Sequence, residues 1–203
     1  MSGKDIVKIV FNLVVVYLIG GFILAFVYAK AAPVIYKNNV EAQKKALKEL
    51  MPDADAVTRM GEWEPHEKHA EYFVAKKGGQ VIGYVIQSFG KGYSSFINTF
   101  IAVDTNFTVQ KIKVLSHGET PGLGDGIEED WFLAQFKGKT LDHLKVIKGE
   151  TKEDIQALSG ATISSRAVTE DAVKHGVEYL MKTIKEGNKE GEKGNVQPEH
   201  SQS

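Results

Sequence analysis

Residues 9–29, IVFNLVVVYLIGGFILAFVYA, form an apolar run of 21 positions with one asparagine and no charge. At a rise of about 1.5 Å per residue, a helix of this length reaches roughly 30 Å, the thickness of a bilayer's hydrocarbon core. The buried helix of a soluble domain would normally carry a polar face, and this run has none. It is therefore expected to be an uncleaved transmembrane helix over 9–29. The alternative is a cleaved signal peptide, with Ala29-Lys30-Ala31 as a small-x-small cleavage site, but the run exceeds the usual length of a signal core. Lys4 and Lys8 precede it, which favours a cytoplasmic N-terminus over 1–8, although Lys30 and Lys37 follow on the other side. No second apolar run of spanning length occurs. The rest of the chain is thus expected on the periplasmic or extracellular face of the cell membrane.

Beyond the run the apolar period changes twice. Val34, Tyr36, Val40, Ala46, Leu47 and Leu50 give a broken helical face ending at Pro52, followed by a polar link that carries Trp63. Together these make a helical linker over 30–62. Four segments with a period near two follow: YFVAKK, QVIGYVIQSFG, FINTFIAVD and FTVQKIKVLSH. Gly78-Gly79 and Asp104-Thr105-Asn106 separate strands at turn positions. Consecutive strands with short links predict an antiparallel meander with helices on one face, an α+β fold. Glu128–Phe136 reads as a short helix, HLKVIKGE as a further strand, and Ser164–Glu186 as a final helix with one apolar stripe. The domain is expected over 63–186. The stretch 187–203 is poor in apolar residues and is expected to be a disordered tail.

Composition removes several classes of function. There is no cysteine, so no disulfide, thiolate metal site or Cys-ligated iron–sulfur cluster can form. Net charge is -1 and no basic stripe with interleaved aromatics occurs, which argues against nucleic acid as a partner. The histidines of HEKH, His66 and His69, lack the spacing of a helical zinc motif, and no metal site is expected. Gly-x-Ser-x-Gly is absent, so no serine-hydrolase elbow is expected.

Three stretches could hold a ligand. In ALSGATISSRAV, four hydroxyls (Ser159, Thr162, Ser164, Ser165) crowd Gly160 and Ala161 just before the final helix. One hydroxyl suffices as an N-cap. The surplus, with two small residues that admit a bulky group, also suits a phosphate at a helix start. HGETPGLGDG reads either as a glycine-rich connecting loop or as a loop presenting His117, Glu119 and Thr120 to a planar ligand; it lacks the phosphate-loop pattern. GKGYSSF interrupts the strand pattern, as a hairpin turn does, or as a bulge where something approaches the backbone near Tyr93.

In this order and spacing, HGETPGLGDGI and ALSGATISSRAV, together with NNVEAQKKALKELMPDAD after an N-terminal apolar helix, resemble the G subunit of the Rnf complex, the ion-translocating ferredoxin:NAD⁺ oxidoreductase. More broadly the chain is similar to the FMN-binding domain shared with the C subunit of the sodium-pumping NADH:quinone oxidoreductase. The resemblance covers nearly the whole chain. It implies an antiparallel-sheet FMN-binding domain flanked by helices, with FMN joined through its phosphate to Thr162 by a separate flavin transferase that uses FAD. Thr162 is then a modification acceptor. The resemblance further implies that His117, Glu119, Thr120, Gly122, Leu123 and Gly124 line the flavin, along with Tyr93, Ser159, Gly160, Ala161 and Ser164. Many members carry Asp where this chain has Gln156. Implied partners are the lipid bilayer and the membrane and peripheral subunits of an Rnf-type complex coupled to Na⁺ or H⁺ movement. The alternatives are a component like the C subunit of the quinone-reducing pump, a stand-alone extracytoplasmic flavoprotein, or an anchored assembly module without cofactor.

Overall fold

The computed structural model describes residues 3–193, with side chains described through residue 187. The described chain falls into two compact units, residues 1–44 and 45–203.

The described residues of the first unit are helical throughout. Helix α1 spans Gly3–Leu50 and so continues into the second unit. It holds Pro33 in its interior. Proline removes an internal donor and suits a first turn, so by sequence alone it marks a helix start. The surrounding alanines and lysines are strong helix formers and carry the helix through. In the apolar run almost every side chain is exposed, Phe22 to 75% and Leu24 to 70%. This is the one helix among the described residues that is long and apolar enough to cross a membrane. An apolar surface this large suits lipid better than water.

The second unit is built on a five-stranded antiparallel sheet in the order β1-β2-β3-β4-β5. Its strands are β1 (Ala56–Trp63), β2 (Ala70–Lys77), β3 (Gln80–Lys91), β4 (Phe96–Val103) and β5 (Val109–Ser116). Strand β1 lies where the sequence suggests a polar link within 30–62. It is an edge strand, mostly exposed, and only Val57 and Trp63 among its apolar side chains are half-buried. An edge strand needs little hydrophobicity, so its pattern is faint. It is held by pairing to β2, from Ala56↔Lys76 to Trp63↔Ala70, and by an Arg59–Glu71 ion pair of 2.7 Å.

Both faces of the sheet are covered, where the sequence suggests one. One core joins Ile86, Ile97, Ile101 and Ile112 to Phe132, Phe136, Val168, Val173, Val177 and Leu180. The other joins Phe73, Val85, Phe100 and Ala102 to Ala46, Leu50 and Met51. Ala46 and Leu50 are four apart, hence on one side of the helix end. A central strand buried on both faces reads as a nearly continuous apolar run, as FINTFIAV does.

After β5 come α2 (Asp130–Ala134) and a two-stranded parallel ladder, β6 (Val146–Ile147) with β7 (Ile155–Gln156). The last helical run is continuous in three parts: α3 (Thr162–Arg166), a π-helical segment Ala167–Lys174, and α4 (His175–Lys193). The sheet and the π segment meet closely. A Cβ on Gly90 would stand 1.9 Å from the Ala167 carbonyl oxygen, so only glycine allows that contact. The expected tail, 187–203, begins inside α4, and residues 194–203 lie outside the described residues.

Candidate functional site

The β3–β4 turn, the loop after β5 and the start of α3 converge. Glu119 joins all three. It is only 5% exposed. Its Oε1 accepts the N–H groups of Ser94 (3.0 Å) and Ser95 (3.2 Å), and its Oε2 accepts that of Tyr93 (3.0 Å). The hydroxyl of Ser164, in α3, donates to the same Oε2. Burial alone pushes the Glu119 carboxyl up. The hydrogen bonds from Ser164 and from the Ser94, Tyr93 and Ser95 amides outweigh it and hold the pKa below the ordinary carboxylate value. Glu119 is thus a charged staple between loops. Gly92 fits around it because a Cβ there would lie 2.5 Å from Oε1.

The HGETPGLG loop is organised from within. The Thr120 carbonyl accepts the N–H groups of Leu123 (3.2 Å) and Gly124 (3.0 Å), and the Asp125 carboxylate accepts that of Gly122 at 3.0 Å. His117 braces the loop from outside. Its Nδ1 accepts the Glu119 N–H at 3.1 Å, and its Nε2 faces Glu128 at 3.3 Å.

The four crowded hydroxyls have separate fates. Ser165 closes the loop: its Oγ accepts the Leu158 N–H and donates to the Ala161 carbonyl, each at 2.9 Å. Ser164 serves Glu119. Neither caps the helix, and no side chain caps α3 at all. The first helical bond at this end, from Ser165 N–H to the Ala161 carbonyl, leaves the N–H groups of Thr162, Ile163 and Ser164 without intrahelical acceptors. Ser159 is exposed and Thr162 partly so, and neither hydroxyl has a protein partner among the described residues. Gly160, at φ +76°, turns the chain into the helix in a conformation that disfavours other residues.

Three clefts meet at this helix start. One, about 410 Å³, is lined by Tyr93, Glu119, Thr120, Leu123, Gly124 and residues 160–164. A second, about 640 Å³, is lined by Trp131, Lys148, residues 156–160 and Thr162. The third, about 440 Å³, runs past Gly122, Leu123 and Ser159 and is otherwise acidic, with Asp125, Glu128 and Glu129. All have the size of small-molecule sites, roughly 300–1,000 Å³. In the second unit six large apolar side chains are exposed among the described residues, and four of them (Tyr93, Leu123, Trp131 and Ile163) line the first two clefts. Apolar rims beside free N–H donors and a free hydroxyl fit a flat aromatic ligand carrying a phosphate, which is the chemistry of FMN.

Of the positions suggested by sequence, Tyr93, Glu119, Thr120, Gly122, Leu123, Gly124, Ser159, Gly160, Ala161, Thr162 and Ser164 all line these clefts. His117 does not appear in their walls. Trp131, Lys148 and Ile163 do, and sequence reasoning passes over them. Ile163 sits inside the motif itself, and its exposure beside the buried Ser164 and Ser165 is visible only in the fold. Gln156, where many members of the resembling family carry Asp, lines the second cleft. Its backbone is held by the Gln135 side chain, at 2.8 Å through the N–H.

A family described as FMN-binding domain matches residues 92–178, from the glycine beside Glu119 into α4. The chain is 37% identical over 178 residues to the G subunit of the proton-translocating ferredoxin:NAD(+) oxidoreductase complex of Clostridium ljungdahlii, covering 87% of this chain and 92% of that one. It is 29% identical over 182 residues to the G subunit of the Na(+)-translocating ferredoxin:NAD(+) oxidoreductase complex of Acetobacterium woodii, covering 82% and 87%. Among solved structures, NqrC of Shewanella oneidensis matches 62% of this chain and 66% of its own at 27% identity, with a TM-score of 0.48.

Proposed function

This chain belongs to the G-subunit family of ion-translocating oxidoreductase complexes, and on that premise we propose that it is a membrane-anchored electron carrier holding FMN as a phosphoester on Thr162. The observation that carries the reading is the Thr162 hydroxyl. It has no protein partner among the described residues and stands where an apolar-rimmed cleft meets three free N–H groups. When bound, FMN supplies the one- and two-electron redox chemistry that a cysteine-free chain cannot supply itself.

The roles of the chain's own residues follow from their positions. Tyr93, Leu123 and Ile163 shield a ring from water. Gly160 and Ala161 leave room for it, and Gly124 makes room for Glu119 and Ser164. Thr120, through its carbonyl, and Gly122 shape the turn that presents Leu123, and Ser159 faces the phosphate side. Glu119 and Ser164 fix the two loops in place, and His117 supports them from behind. A flavin transferase with FAD as donor makes the attachment.

The N-terminus lies in the cytoplasm and the second unit on the periplasmic or extracellular face, in line with Lys4 and Lys8 ahead of the apolar run. The apolar run has no Asp, Glu, Lys, Arg or His, so Na⁺ or H⁺ must cross through other subunits of an Rnf-type complex. The two relatives carry different ions in their names, so the choice of ion lies with those subunits.

The test is in-gel fluorescence of the denatured chain after co-production with the transferase. The wild-type band is expected to fluoresce as a flavin and Thr162→Ala to be dark. Fluorescence surviving in Thr162→Ala places the attachment on another residue.

A further inference from the structure

We propose that Lys148 is the counter-ion of the phosphodiester on Thr162; this rests on the reading that Thr162 carries FMN. Three observations converge on it. First, the β6–β7 ladder puts Lys148 at the site. Ile147 pairs with Gln156, and the Ala157 N–H donates to the Ile147 carbonyl at 2.8 Å. The residue after Ile147 therefore lies beside the strand that runs directly into Ser159-Gly160-Ala161-Thr162, and it shares a cleft wall with Ser159, Gly160 and Thr162.

Second, charge is partitioned among the three clefts. Among the described residues Lys148 is the one cation in their walls; the other charged residues are Glu119, Asp125, Glu128 and Glu129. Glu119 is a buried carboxylate already held by four hydrogen-bond donors, whereas Asp125, Glu128 and Glu129 make their cleft a poor home for a phosphate. A singly charged phosphodiester therefore turns towards Lys148, and the ring towards Tyr93, Leu123 and Ile163. Third, Lys148 is uncommitted. Neighbouring Lys139 donates to the Lys152 carbonyl at 2.6 Å, and Lys145 pairs with Asp154 at 3.4 Å. Lys148 has no ion pair among the described residues and is exposed.

The experiment uses the full chain in detergent, produced with and without the transferase. Lysines are reductively methylated with formaldehyde and a borane, and the digest is read by mass spectrometry. Flavin loading is expected to lower labelling of Lys148 several-fold while Lys145 and Lys152 stay unchanged. Equal labelling of Lys148, in chains whose Thr162 peptide carries the flavin, overturns its assignment alone. An unmodified Thr162 peptide in the same digest overturns the covalent-FMN reading itself. The charge is then tested by ³¹P NMR of the loaded chain at neutral pH. Lys148→Met is expected to move the phosphodiester resonance, with Lys148→Arg staying near wild type and Lys145→Met having no effect. A resonance unmoved in Lys148→Met means the lysine is merely covered by the ring, and the ion pair is refuted. Lys148 is solvent-exposed, so neither substitution threatens folding.

Discussion

At the scale of single residues, the motif hydroxyls divide into structure and chemistry. Ser165 and Ser164 are spent on Leu158, Ala161 and Glu119, which leaves Ser159 and Thr162, and of these Thr162 stands in the first turn of α3. The pattern of crowded hydroxyls was legible as a surplus. Which of them was surplus was not, because the partner of Ser164 lies 45 residues away in sequence. The same distance hid a second character of Glu119, which lines the cleft and is also a buried staple between loops. Its depressed pKa has a consequence for stability. A carboxylate whose folded pKa lies below its unfolded value stabilises the fold fully above the unfolded value. That stabilisation is lost as pH falls from about 4.5, the ordinary value, through the depressed one. Urea unfolding of the full chain in detergent should therefore show wild type losing stability over this acid range. Glu119→Gln should be less stable than wild type at neutral pH and lose less on acidification. Parallel pH profiles for the two would contradict the staple.

At the scale of elements, strands β2 to β5 were legible because each buries apolar side chains, and runs of Val, Ile and Phe survive in all four. Strand β1 was not, because an edge strand held by pairing and ion pairs leaves almost no hydrophobic signature. The cover on the second face was also illegible: Ala46 and Leu50 mark an apolar helix side, but not what it packs on. The π segment packs close to β3 at Gly90, and the interface holds polar groups that no pattern predicts. Ser88 and Thr99 stand opposite each other on β3 and β4, and Thr169 lies in the π segment. All three hydroxyls are buried without a partner among the described residues. An unpaired buried hydroxyl costs about 1–3 kcal/mol in proteins, so Thr99→Val, which keeps the shape, should stabilise the second unit by about 1 kcal/mol. The check is a higher urea midpoint at unchanged slope. A lower midpoint would mean that the hydroxyl has a partner such as an ordered water.

At the scale of the whole molecule, the chain separates anchoring from redox work. The apolar run of α1 offers no charge for an ion to follow, and the second unit has its own two cores and the one site, among the described residues, where apolar rims, free donors and an unpartnered threonine meet. The anchor and the motif were both readable from sequence: the first needs only length and composition, the second only local order of residues. The clefts between the loops were not, since they arise from segments up to about seventy residues apart. The central claim is that this site carries FMN on Thr162. It is tested most directly by the mass of the Thr162 peptide from the full chain co-produced with the flavin transferase. The account predicts that peptide heavier by one FMN phosphoester, with the fragment series placing the addition on Thr162. A Thr162 peptide of unmodified mass from that preparation would contradict it.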